Sequence, residues 1–421
     1  MKAKKLFLSV MLILITLNLF GQIQNTKTPG NIPEYAPYVD VSLWPSFDIS
    51  NISTTGICIY TLAFVVDDEH TAGLNPRWGG YTPYDTSWYQ SKIASLRNSG
   101  GKIIVSFGGA NGRPLAYVAQ NDNELQLAYK QMIDDYSLNS IDFDIEGMFV
   151  AHHESIDRRS RVMKLLQNEY PQLKISLTLP VMPFGLTNDG LYVVNSAVSN
   201  NVNLSVVNLM AMDYGGAGDM GNNAISAMNH VFSQLKNIFN NAGTPKPDAE
   251  IWKMIGVTPM IGKNDVPQEF FYLDDAVDVR NFAFQKNIGR ISIWSANRDH
   301  QCDNANDPLY ACSHIAQNDF EFSRIFQQDG SISYCDTASI NENSWGNNIE
   351  IYPNPAKDFI SVSGNISFDM EIIGIDGKLL KKIRVTEKNR KVNISDLKIG
   401  TYLLKLTNGP QSVIKKIVIQ R

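Results

Sequence analysis

Between Ser140 and Gly147 the chain reads SIDFDIEG, with Asp142, Asp144 and Glu146 at every second position among Ile141, Phe143 and Ile145. In a strand, alternate side chains share a face, so the three carboxyl groups would stand in a row on one side. Like charges that close, partly out of water, favour keeping a proton on at least one of them. A carboxyl that holds its proton near neutral pH beside another that has lost it is what acid catalysis needs. The spacing therefore predicts Glu146 as a proton donor at the outer end, with Asp144 between and Asp142 deepest. The bland alternative, solvated rim carboxylates or partners of basic side chains, fits any one of the three better than it fits the row.

Such a row must be carried by a strand inside a larger sheet. Apolar, β-branched runs recur at 38–44 (YVDVSLW), 57–66 (ICIYTLAFVV), 102–109 (KIIVSFGG) and 140–147, then at 174–183 (KISLTLPVMP), 205–214 (SVVNLMAMDY), 253–262 (KMIGVTPMIG) and 291–299 (ISIWSANRD). Helix-like segments such as NELQLAYKQMIDDYS and DRRSRVMKLLQNEY separate most of them. Eight near-continuous apolar strands alternating with helices predict a parallel (β/α)8 TIM barrel, an α/β fold. Its active site belongs at the C-terminal ends of the strands, where Gly108, Gly109, Glu146, Asp213, Tyr214 and Trp294 fall.

Four of these segments, taken in order, resemble glycoside hydrolase family 18, the chitinases. The acid row resembles the family's DxxDxDxE signature, SFGG (106–109) its SxGG element, MAMD (210–213) its MxYD element, and Trp294 its eighth-strand tryptophan. APYVDVSLWP, GVTPMIGKND and SIWSANRDHQC further resemble one bacterial and archaeal branch of the family. The resemblance spans about residues 36–325. It implies retaining hydrolysis of β-1,4 linkages in chitin or N-acetylglucosamine oligomers, with the sugar's own acetamido group as nucleophile. Glu146 would be the general acid and then the base. Asp144 would orient the acetamido group and stabilise the oxazolinium ion, and Asp142 would share a proton with Asp144. Asp213, Tyr214, Met210 and Trp294 would contact substrate, Trp294 as the floor beneath the sugar. No metal or cofactor is implied. Asn139 stands where the signature has its first Asp, and Met212 where MxYD has its Tyr. Tyr214, of the same strand parity as Met212, is the candidate to supply the missing hydroxyl. An endo-β-N-acetylglucosaminidase acting on N-glycans is the nearest enzymatic alternative, and an inactive chitin-binding lectin the alternative from another class.

Composition agrees with an exported chain. Residues 1–22 have a basic tip and an apolar run, and read as a signal peptide without the cysteine of a lipoprotein. No later run is long and apolar enough to predict a membrane span. Residues 23–349 hold 21 basic and 35 acidic side chains, against 13 basic and 7 acidic in 350–421. So acidic a body is a poor nucleic-acid binder. The sign change marks a boundary, with 23–330 as the catalytic domain and the polar stretch 331–348 as a linker. Residues 349–421 have the alternating strands of a small all-β sandwich. From YPNPAKD to its basic end this tail resembles the type IX secretion sorting domain of Bacteroidota. That implies passage through the periplasm and outer membrane to the extracellular side, with the type IX machinery as partner. Whether the chain stays attached to the cell surface is left open by the sequence. Of the four cysteines, Cys302 and Cys312 would close a short loop, Cys58 reads as a small core residue, and the state of Cys335 is open.

Two further motifs carry less weight. GAGDMG (216–221) matches the dinucleotide pattern, but no acidic residue follows at the required distance, so it reads as a loop at the barrel mouth. His152, His153 and Glu154 are metal-like in type, yet adjacent residues rarely converge on one ion.

Overall fold

The computed structural model describes residues 32–327, Cys335 and 349–421, apart from 69, 71–72, 81, 84–87, 217, 364–366, 375–377, 387 and 409–410. The expected signal peptide and, Cys335 aside, the expected linker lie outside the described residues. The chain divides into two compact units between residues 333 and 334.

The first unit is a closed barrel of eight parallel strands. They are β1 (Glu34–Tyr35 and Tyr38–Asp40, in two pieces), β2 (Ile59–Asp67), β3 (Lys102–Gly108) and β4 (Ser140–Asp144). Then follow β5 (Lys174–Pro180), β6 (Leu204–Ala211), β7 (Ile255–Pro259) and β8 (Arg290–Ile291). Each of β2 to β8 pairs in parallel with its successor in sequence, except that β8 pairs with the first piece of β1 while β2 pairs with the second. The two pieces of β1 thus close the ring.

Helices follow the strands, and their starts are written in the sequence. Asn121 accepts the Glu124 backbone N–H at the head of Asp122–Asp135, Thr187 caps Asn188–Ser199, and Asp219 caps Met220–Asn241. The strands are buried on both faces, the outer one against these helices. Phe143, for example, meets Tyr129 of helix Asp122–Asp135 with ring centroids 5.1 Å apart. Ile141, Phe143 and Ile145 therefore point outward, which turns Asp142, Asp144 and Glu146 inward.

Several expected limits shift. β1 starts at Glu34 and ends at Asp40, so Ser42–Trp44 are not strand. β8 keeps only two ladder residues before the chain leaves the sheet, carrying Trp294 in a single bridge to Met260. Cys302 and Cys312 form the expected disulfide. Cys58 is not the small core residue it reads as: it is half-buried and disulfide-bonded; Cys335, which is buried, is also disulfide-bonded, and no cysteine is free. No described helix is long and apolar enough to cross a membrane.

The second unit is the expected all-β module. A three-stranded sheet (Ile351–Tyr352, Phe359–Val362, Lys391–Asn393) and a four-stranded one (Leu379–Val385, Phe368–Gly374, Gly400–Asn408, Gln411–Ile419) share one core containing Ile360, Val362, Met370, Leu404 and Ile417. Phe368, Met370 and Ile372 face inward while Asp369 and Glu371 do not, the alternation of a half-buried strand.

Candidate active site

The C-terminal ends of the barrel strands surround a cavity of about 580 Å³ lined by Asp144, Glu146, Met210, Met212, Asp213 and Trp294, among others. Five of the seven expected site residues, Asp144, Glu146, Met210, Asp213 and Trp294, thus meet in one place.

Asp142 lies beneath them, fully buried. Its carboxylate accepts hydrogen bonds from Tyr38 (2.9 Å), Ser106 (2.7 Å), Ser176 (2.5 Å) and Thr178 (2.9 Å). Asp144 is 5 % exposed, and its Oδ1 is buried without a hydrogen-bond partner. Burial, and then the charges of Glu146 and Asp142, push Asp144 well above the ordinary carboxylate range. Burial raises Glu146 too, aided by Asp213 and Asp265 and opposed by its hydrogen bond to Asp144. Burial and the neighbouring carboxyl groups thus favour the protonated form of both Asp144 and Glu146, adjacent acids of the row. The sequence reading placed the shared proton between Asp142 and Asp144. The structure surrounds the Asp142 carboxyl with four hydroxyl groups.

Glycine makes this packing possible. Gly108 has φ +115°, and a Cβ there would lie 1.9 Å from the Asp144 carbonyl oxygen. At Gly109 it would lie 2.5 Å from the Phe64 ring. The expectation that these glycines give backbone room beside β4 matches this geometry. Phe64 in turn stacks on Trp294 at 5.5 Å between centroids and 16° between planes, and Tyr38 meets Trp294 at 6.0 Å. Trp294 is therefore held by two rings while it faces the cavity with the carboxyl pair.

Asp213 is fastened by two loops that grip each other. Its Oδ1 accepts the Val266 N–H at 3.0 Å, and its own N–H reaches Asn264 Oδ1 at 3.4 Å. Glu269, fully buried, accepts the backbone N–H groups of Tyr214, Gly215 and Gly216 at 3.0, 2.7 and 3.0 Å. Burial raises the Asp213 carboxyl, with Asp265 and Glu269 adding to the effect and the Val266 N–H opposing it.

Tyr214 is corrected. β6 ends at Ala211 and Asp213 has φ 52°, so strand alternation stops before Tyr214. Its ring packs against the barrel's hydrophobic core, its hydroxyl is buried without a partner, and it is not among the described residues lining the cavity. It does not supply the hydroxyl missing at Met212.

The sequence reading missed Tyr38, Phe64, Asp265 and Arg298, all cavity-lining. Arg298 is buried, donates to the Lys263 and Cys312 carbonyls at 2.6 and 3.3 Å, and is lowered to about 10 by burial. Phe64 and Arg298 lie near the C-terminal ends of expected strands and Asp265 just beyond one, which was the available signal; Tyr38 opens its strand and carried none. Of the rejected metal-like group, His152 caps helix His153–Glu169, His153 stacks on Tyr192 with centroids 3.7 Å apart, and Glu154 pairs with Arg158 at 2.7 Å.

A closed α/β barrel with buried acids and an aromatic wall at its C-terminal mouth has the layout of a polysaccharide hydrolase. The comparisons agree. The chain is 34% identical to the catalytic domain of a hyperthermophilic chitinase from Pyrococcus furiosus, with TM-score 0.63, covering 70% of this chain and 95% of that one. Catalytic-site mutants of the thermostable chitinase from the same organism, complexed with chito-oligosaccharides, match at 33% identity, TM-score 0.63, and 70% and 94% coverage. It is 40% identical over 282 residues to the probable bifunctional chitinase/lysozyme of Escherichia coli (strain K12), covering 63% of this chain and 31% of that one. Endochitinase 11 of Metarhizium anisopliae is 39% identical over 282 residues, covering 63% and 52%. The chain thus spans about a third and about half of the length of these two relatives. It belongs to the chitinases of glycoside hydrolase family 18. Residues 350–420 match the secretion system C-terminal sorting domain.

Proposed function

We propose that this protein is an exported chitinase that cleaves β-1,4-N-acetylglucosamine linkages with retention, using the substrate's acetamido group. The observation that supports this most is that Asp144, Glu146 and Trp294 line one cavity, where burial raises both carboxyl groups. With the proton on Glu146, that residue protonates the glycosidic oxygen as the C1–O bond breaks. The acetamido oxygen bonds to C1 and forms an oxazolinium ion. Asp144, now ionised, stabilises the developing positive charge and accepts the acetamido N–H. Its unpartnered Oδ1 fits that role. Glu146 then takes a proton from water, whose oxygen attacks C1 and opens the ring of the intermediate. Asp213 contacts the bound sugar, Trp294 forms the floor beneath it, and Met210 packs beside it.

Wild type and Glu146→Gln, assayed on N-acetylglucosamine oligomers and on an N-glycan, test this reading. The wild type should cut the oligomers, and the variant should lose at least about 10²-fold in kcat. Turnover of the glycan alone would select an endo-β-N-acetylglucosaminidase, and binding without turnover a lectin. The tail is assigned to export through the type IX machinery: truncation after residue 348 should leave activity intact and stop release to the medium.

A further inference from the structure

A hydroxyl group both donates and accepts, so four hydroxyls around Asp142 do not by themselves say which way the protons point. Behind one of them stands a group that decides. Arg290 Nη1 donates to Ser176 Oγ at 3.0 Å, and a guanidinium has no acceptor. The Ser176 proton must therefore point away from Arg290. It goes to Asp142 Oδ1 at 2.5 Å, since the other acceptor in reach, the Ile141 carbonyl, is 3.5 Å away. Arg290 is 3 % exposed and is held by Glu34, its partner across the β1–β8 ladder, whose Oε1 accepts at 3.0 and 2.9 Å. A one-way chain of hydrogen bonds thus leads from Arg290 through Ser176 to the bottom of the acid row, with Glu34 anchoring its cationic end.

We propose that Arg290 is a positioning residue for the reaction: acting through Ser176, it fixes Asp142 as an acceptor-only carboxylate and so confines the proton of the acid row to Asp144 and Glu146. The inference rests on the reading that those two residues perform the chemistry. The groups facing Asp142 are Tyr38 from β1, with Glu34 behind Arg290, Ser106 from β3, Asp144 on its own strand, Ser176 and Thr178 from β5, and Arg290 from β8. Arg290 is the positive charge in this set, two hydrogen bonds of 3.0 and 2.5 Å away from the carboxylate. At that distance a buried unit charge moves the titration of the row by about one pH unit or more.

The test is the pH dependence of kcat on an N-acetylglucosamine oligomer for the full chain and its Arg290→Gln, Arg290→Lys, Glu34→Gln and Ser176→Ala variants. Arg290→Gln should lower kcat about tenfold at the wild-type optimum, change KM less than about threefold, and move the acid limb up by about one unit. Arg290→Lys, which also only donates, should restore most of kcat. Glu34→Gln should move the limb down. If Arg290→Gln does not fold, Ser176→Ala carries the test and should move the limb up by a smaller amount. An unmoved limb, or one that moves the same way in Arg290→Gln and Glu34→Gln, overturns the proposal. The same shifts read from 13C carboxyl NMR without substrate test the chain of hydrogen bonds even if the wild type proves inactive, so its failure is distinguishable from failure of the chitinase reading.

Discussion

Gly108→Ala is the perturbation whose consequence can be followed furthest from geometry. The residue has φ +115°, a conformation that costs a non-glycine residue about 1–3 kcal/mol. The added Cβ would stand 1.9 Å from the Asp144 carbonyl oxygen, and since that is backbone, no rotamer change relieves it. Even a tight contact of about 3 Å requires β3 and β4 to separate by about 1 Å, adding about 1–3 kcal/mol of overpacking. The total loss should be about 2–6 kcal/mol. β4 carries Asp144 and leads directly into Glu146, and a displacement of about 1 Å in a catalytic group costs about 10²-fold in rate. Urea unfolding and kcat on an N-acetylglucosamine oligomer measure the two effects. Gly109→Ala is the comparison: at φ +88° it carries the same kind of backbone strain, but its Cβ meets the Phe64 ring rather than backbone, so it should lose less stability and less kcat than Gly108→Ala. Wild-type stability with kcat within about threefold in Gly108→Ala would refute the argument that this glycine sets the strand spacing.

Asp144→Asn should gain stability relative to wild type as pH rises while losing activity. The folded state holds the Asp144 proton more tightly than the unfolded chain does. The wild-type contribution is therefore complete below the unfolded carboxyl range and is lost as pH climbs through the raised folded value; Tm measured from pH 4 to 8 should show the gap widening in favour of the variant. Trp294→Ala removes the ring that Phe64 and Tyr38 hold toward the cavity, and kcat/KM should fall about tenfold to a hundredfold. Glu269→Ala leaves three backbone N–H groups without their acceptor, so Asp213 should lose its fixed placement and KM should rise about tenfold, with wild-type KM refuting the clasp.

The barrel was legible because the strands are mostly continuous apolar runs and most connecting segments have helical periodicity, and a parallel sheet covered by helices follows from that. The acid row was legible because strand geometry turns spacing into direction: once Ile141, Phe143 and Ile145 face the helices, the acids must face inward. Reasoning by alternation failed where the backbone stops being a strand. Asp213 in a left-handed conformation sends Tyr214 into the core, and no pattern of residue types signals that turn. Asp265 and Arg298 escaped notice because they reach the cavity from irregular segments beyond β7 and β8. The occupation of Asp142 by hydroxyls needed Tyr38, Ser106, Ser176 and Thr178 from three other strands, neighbours that only the closed ring brings together. Cys58 sits in an apolar run that reads as core, yet it is half-buried and disulfide-bonded.

The configuration at C1 of freshly released product is the most direct measure of the central claim. A proton NMR time course on an N-acetylglucosamine oligomer, begun before mutarotation equilibrates the reducing ends, should show the β anomer first, because attack by the acetamido oxygen and then by water inverts C1 twice. An α anomer at the earliest time points would mean a single displacement by water and would contradict the account.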